Sequence, residues 1–212
     1  PSWRRPVTMR QLLTHTAGFD NVDIGDAARS RDGIAPLTEY VLHQMANQTT
    51  APGAYHRYSN QGYALAGLVV ETVSGRPFEE HMREILFEPL GMDDATFSQP
   101  PADDRLAIGY TWDNEWQPLP LDFSNVAPAD ALLASSNDMV QFLSFQLGHH
   151  PGGASLLSQR SLSNTQQRHF SHTGLAPGMG LGWMEETRGG RRMFEHSGGQ
   201  LGFTSYMAVF PD

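Results

Sequence analysis

Cysteine and lysine are both missing from this 212-residue chain. The first absence excludes disulfides, thiolate metal sites and sulfur nucleophiles. It leaves the redox compartment open, since a cysteine-free chain suits periplasm and cytosol alike. The second means that all 14 fixed positive side chains are arginines. Any motif built on a lysine ammonium is therefore incomplete within these residues. Positive charge is scarce overall: the net charge is -9, which disfavours nonspecific nucleic-acid binding through phosphate neutralisation. No apolar run reaches the length of a membrane span. There is no internal repeat, no low-complexity tract, no Gly-x-Ser-x-Gly elbow and no G-x-G-x-x-G fingerprint; "GMGLGW" reads instead as strand with small residues.

What is there is a globular composition, 39% hydrophobic and 17% charged, long enough for one domain or one and a half. Thr8 to His15 reads as a short helix capped by Thr8, with a stop at Gly18. "DNVDIGDAARSRDG" follows as a solvated polar loop; its acids lack the alternate spacing of a calcium loop. Leu37 to Gln48 is amphipathic. A helix from "YSN" runs to Gly75, and Pro77 opens another through Phe87. The segment 93–134 reads as loop with one strand, Ala107 to Trp112. Ser135-x-x-Asp138 caps a helix that ends at Gly148, and a short helix follows Ser158. From Gly178 the texture turns strand-like: "GLGWMEE", "RRMFEHSGG" and "GFTSYMAVF", the first two joined at Gly189-Gly190 as a hairpin. Helices and loops over 1–177, then antiparallel strands over 178–212, predict an α+β fold.

Two short stretches have chemistry to offer. Tyr58-Ser59-Asn60 precedes the apolar helix, where Ser59 or Asn60 serves as N-cap. A phenol at the positive end of a helix dipole is favoured as phenolate, so a lowered Tyr58 pKa is expected, and the Asn60 amide can donate to a carbonyl. The second stretch, His196-Ser197-Gly198-Gly199, is expected to end a strand and open a turn. Its paired glycines let a substrate lie close and bare amide N–H groups for a developing oxyanion. Among nine histidines, His149-His150 and His169-x-x-His172 are the densest, but neither has metal-ligand spacing and both are expected at the surface. His15 is expected to pack or hydrogen-bond at a helix end. Trp112, Trp116, Phe123 and Trp183 are expected in core or loop packing ahead of a substrate cleft.

Taken in order, "RQLLTHTAGF", "PGAYHRYSNQGYALAGLVVETVSG", "EPLGMDDATF", "LLASSNDMVQFL", "GLGW" and "HSGGQLGFTSYMAVFPD" resemble the serine β-lactamase-related family: class C β-lactamases, penicillin-binding D-Ala-D-Ala carboxypeptidases and related esterases. The likeness covers nearly the whole chain, and its motifs are specific in combination. It implies a β-lactamase/transpeptidase-like fold, an antiparallel sheet flanked by helices with a helical subdomain. It also implies a cleft where a Ser-x-x-Lys helix, a Tyr-x-Asn loop and a Lys-Thr-Gly or His-x-Gly strand meet. By that resemblance Tyr58 moves protons and Asn60 binds the acyl side chain. His196, Ser197 and Gly198 line the far wall, and Gly199 supplies an oxyanion N–H. Histidine at the first strand position departs from Lys-Thr-Gly but matches esterase-like and peptidase-like branches.

With no lysine, the Ser-x-x-Lys element cannot lie in this sequence. The chain starts at Pro1 and stops after a strand-like run, so truncation at both ends is expected, with the nucleophile encoded upstream. The implied activity is two-step acyl transfer on an amide, β-lactam or ester, on a small-molecule or peptide substrate. No metal or organic cofactor is called for, and periplasmic or secreted location is implied by resemblance alone. The competing reading is a noncatalytic pseudoenzyme that has lost the nucleophile, or a peptidoglycan- or partner-binding module, on the same fold.

Overall fold

The computed structural model describes residues 6–99 and 106–211; part of the expected 93–134 loop lies outside them. Helix α1, Met9–Leu13, carries a full capping box, with the Thr8 hydroxyl accepting from the Gln11 N–H and the Gln11 side chain returning to the Thr8 N–H. The helix stops before Gly18 because His15 enters the left-handed region at φ 53°. The next segment is less solvated than expected. It holds strand β1, Ala27–Ala28, and buried Asp26, which accepts from the Tyr40 hydroxyl and from Gln61 Nε2 at 3.2 Å. Helix α2, Leu37–His43, is shorter than its amphipathic pattern, because the Ala46 N–H turns to donate to Gln61 Oε1 at 2.6 Å.

Helix α3, Asn60–Ser74, is the centre of the helical part, ending at Gly75 as the sequence suggests. Its Gly67 is a packing position: a Cβ there would lie 2.2 Å from the Pro128 ring. Helix α4, Phe78–Met82, runs through a π-helical turn over Arg83–Phe87 into α5, Glu88–Leu90. The middle region contains more structure than one strand. Strands β2, Tyr110–Asp113, and β3, Glu115–Pro118, form a hairpin about Asn114. Strand β4, Phe123–Ser124, pairs with β1, and α6, Ala127–Asp130, packs on α3. Helix α7, Ser136–Gln146, has the expected Ser135/Asp138 box, and α8, Gln159–Thr165, is capped by Ser158.

A four-stranded antiparallel sheet closes the described chain: β5, Gly178–Met179; β6, Met184–Arg188; β7, Arg191–Gln200; and β8, Phe203–Val209, in that spatial order. "GLGW" is a tight turn between β5 and β6, closed by Gly180 N–H on the Trp183 carbonyl at 2.7 Å. The β6–β7 hairpin turns on Gly189-Gly190, both at positive φ. Helix α7 lays Phe142, Leu143 and Leu147 against Trp183, Phe194 and Val209, so the sheet carries a helix on its face. The result is an α+β fold whose sheet and α3 converge near Tyr58 and His196.

Candidate active site

Serine 59 is the N-cap of α3: its Oγ accepts from the Gly62 N–H at 3.1 Å and donates to the Asp20 carbonyl at 3.1 Å. The Asn60 N–H donates to Asn21 Oδ1 at 2.9 Å, and Arg57 pairs with Asp20 at 2.9 Å. The helix mouth is thus stitched to the 20–22 segment. Tyr58 stands between these anchors, 38% exposed, its ring 4.2 Å from His15 in a stacked pose. Across from it lies His196 of β7, ring centroids 6.2 Å apart and tilted by 44°. The phenol and the imidazole, remote in sequence, stand side by side.

The β7 side departs in detail from expectation. His196-Ser197-Gly198-Gly199 does not open a turn; the strand continues to Gln200, and the reversal is at Leu201 and Gly202. Register then fixes what the backbone presents. Gln200 pairs with Phe203 at the hairpin end, and antiparallel ladders alternate in hydrogen bonding. The N–H and C=O groups of Ser197 and Gly199 accordingly face away from β8. Strand β6 ends opposite Glu195, so these groups have no strand partner on that side among the described residues. The two glycines also differ. A Cβ on Gly198 would sit 2.5 Å from Ser205 Oγ, whereas one on Gly199 would meet nothing within 4 Å. Gly199 therefore combines an outward N–H with open room. Ser197 is exposed and projects from the face opposite His196.

Electrostatics overturn one expectation. Burial, and then the Asp130 carboxylate, push the Tyr58 phenol up rather than down. Asp130 itself is pushed up, chiefly by burial, while accepting a hydrogen bond from Ser124 Oγ. Gln200 Nε2 reaches its backbone carbonyl at 3.4 Å, which links α6 to the end of β7. His15, 3% exposed, is lowered to about 3 by burial and by the nearby His56 and His196, so its ring is neutral.

Of the residues singled out in sequence, Tyr58 and His196 are brought together, with Gly198 and Gly199 following on the same strand. Asn60 is half-buried in the first turn of α3. Asp20, Asn21 and Asp130 were not foreseen. The Asp-Asn pair is a local turn signal that pointed to them, whereas Asp130 has none. Trp183 is buried, but Trp112 and Trp116 are 62% and 67% exposed, edge to face across their hairpin, contrary to the expected packing role. His150 and His169 are partly buried and serve the backbone, the first capping Gly152 and the second bonding the Asn164 carbonyl. Among the described residues no three His, Asp or Glu side chains converge as metal ligands.

A helix-backed antiparallel sheet, with a capped tyrosine loop beside a glycine-edged strand, is the arrangement that the resemblance to the β-lactamase-related family implies. The family model described as Beta-lactamase matches residues 1–212, and the chain belongs to that family. Penicillin-binding protein 4 of Amycolatopsis lactamdurans is 27% identical over 98% of this chain and 57% of its own length. The D-alanyl-D-alanine-carboxypeptidase/endopeptidase AmpH of Escherichia coli K12 is 26% identical over 97% of the chain and 56% of its own length. The chain thus spans a little over half the length of these relatives. In fold it is similar to the octameric penicillin-binding protein homologue from Pyrococcus abyssi, with a TM-score of 0.80, 24% identity, and coverage of 97% of this chain and 49% of that one. It is also similar to a class C β-lactamase, with a TM-score of 0.77, 20% identity, and coverage of 97% and 61%.

Proposed function

We propose that the whole protein is a serine hydrolase carrying out two-step acyl transfer. A serine from a Ser-x-x-Lys helix outside these residues attacks an amide, β-lactam or ester carbonyl, and water then releases the acyl group. Tyr58 helps to relay the serine proton as that serine attacks, and then delivers a proton to the leaving group. Gly199 N–H stabilises the oxyanion, Asn60 orients the acyl side chain, and His196 holds the substrate from the facing wall with Ser197 and Gly198 beside it. The observation that carries this reading is the 6.2 Å approach of the Tyr58 and His196 rings, beside a strand edge whose Gly199 N–H faces outward. Relatives named as a penicillin-binding protein and a D-alanyl-D-alanine carboxypeptidase support the substrate class.

The lysine-free sequence speaks for a second reading, a noncatalytic module that binds the same ligands. Acylation of the natural gene product by a fluorescent penicillin or a p-nitrophenyl ester separates the two. The hydrolase labels stoichiometrically, and Tyr58→Phe lowers turnover by at least about 10²-fold, the low end for lost acid–base catalysis. An intact, folded protein that never labels is the binding module.

A further inference from the structure

We propose that His15 is a positioning residue for Tyr58: it fixes where the phenol stands without itself touching substrate. The inference deepens the acyl-transfer reading and rests on it for the role of Tyr58. Two backbone hydrogen bonds straddle the tyrosine, and both end on His15. The Arg57 N–H donates to the His15 carbonyl at 2.7 Å, and the Ser59 N–H donates to His15 Nδ1 at 3.1 Å. Between them the Tyr58 ring stacks on the imidazole at 4.2 Å and 28°. One residue thus grips the tyrosine from before through its backbone carbonyl, and from beside and after through its ring.

The grip extends into the helix. Tyr63 also stacks on His15, at 4.9 Å, and its hydroxyl donates to the Leu13 carbonyl at 3.1 Å. The loop and the first turn of α3 are therefore referred to the same four residues, Leu13 to Thr16, which Gly53 N–H further holds through the Thr16 carbonyl at 2.7 Å. His15 adopts φ 53°, a left-handed conformation uncommon for a non-glycine residue. The hydrogen bond sets the chemistry required there. Nδ1 must accept, so the ring is the neutral Nε2–H tautomer, and burial keeps it so.

Two substitutions separate the parts of this grip. His15→Asn offers an acceptor in the Nδ1 position and tolerates positive φ, but has no ring. His15→Phe keeps the ring and loses the acceptor. In the natural gene product, with active sites counted by the p-nitrophenolate burst, His15→Phe should lower kcat about 10–100-fold while KM moves less than about threefold. His15→Asn should return kcat to within about fivefold of wild type. A readout free of catalysis accompanies it in the same proteins. Hydrogen exchange of the Ser59 amide should quicken at least about tenfold in His15→Phe and stay protected in His15→Asn. If wild type does not turn over, the acyl-transfer reading fails, and the Ser59 exchange still decides the positioning claim. Kcat per active site within about twofold of wild type in His15→Phe, or unchanged Ser59 exchange, overturns the proposal.

Discussion

The tyrosine wall and the glycine wall of the candidate site are built to different rules. On the tyrosine wall, residues 57–60 are each tied to another part of the chain: Arg57 to His15 and Asp20, Tyr58 to the His15 ring, Ser59 to His15 and Asp20, Asn60 to Asn21. On the glycine wall, residues 197–200 are exposed, and their ladder is with β8 alone among the described strands. A group that must deliver a proton needs its atom held to within a fraction of an ångström, and side-chain anchors do that. A group that offers a backbone N–H needs only the strand's own geometry and empty space in front of it. In the proposed acyl transfer, that difference assigns precision to the tyrosine side and access to the glycine side.

That contrast can be broken from either side, and the largest effect belongs to the tyrosine wall. His15 is lowered from 6.5 in the unfolded chain to about 3 in the folded one. Between those values the unfolded state binds the extra proton, so the stability His15 contributes is complete above pH 6.5 and is lost as pH falls toward 3. Urea unfolding should show a loss on the order of 3 kcal/mol from this group between pH 6.5 and 4, and a shallower slope in His15→Asn. Ser59→Ala, which removes the α3 cap, should cost about 1 kcal/mol in the same assay. The glycine wall should respond less. Gly198→Ala should cost up to about 1 kcal/mol through its clash with Ser205, and Ser205→Gly should restore it. Gly199→Ala should stay within about 0.5 kcal/mol, because its Cβ enters open space. The smallest change is spectroscopic. Asp130→Asn should lower the Tyr58 titration followed by ultraviolet difference absorbance, without bringing it to the ordinary phenol value, since burial is the larger cause.

The parts legible in the sequence were those written in neighbouring residues. Ser59 capping α3, the Ser135/Asp138 box and the Gly189-Gly190 hairpin are chemistry within four residues, and each stands where its motif lies. Strand β3 was hidden because Pro and aromatic residues obscure alternation there, and the turn rests on Asn114 entering positive φ. Asp26 reads as a loop acid; its burial depends on Tyr40 and Gln61, which no local pattern connects to it. The Tyr58 expectation failed for the same reason. The helix dipole is local and visible in sequence, whereas the burial and the Asp130 charge that push the phenol up are tertiary. The family motifs supplied what local chemistry could not, namely that the tyrosine loop and the histidine strand face each other.

The central claim is that Tyr58 and His196 act on one substrate across one gap, and a double-mutant cycle on kcat/KM in the natural gene product tests it most directly. Tyr58→Phe, His196→Ala and the double variant should show a coupling of at least about 1 kcal/mol, because a transition state engaged by both loses less when the second group is removed. Strict additivity, with each substitution costing the same in either background, would contradict it.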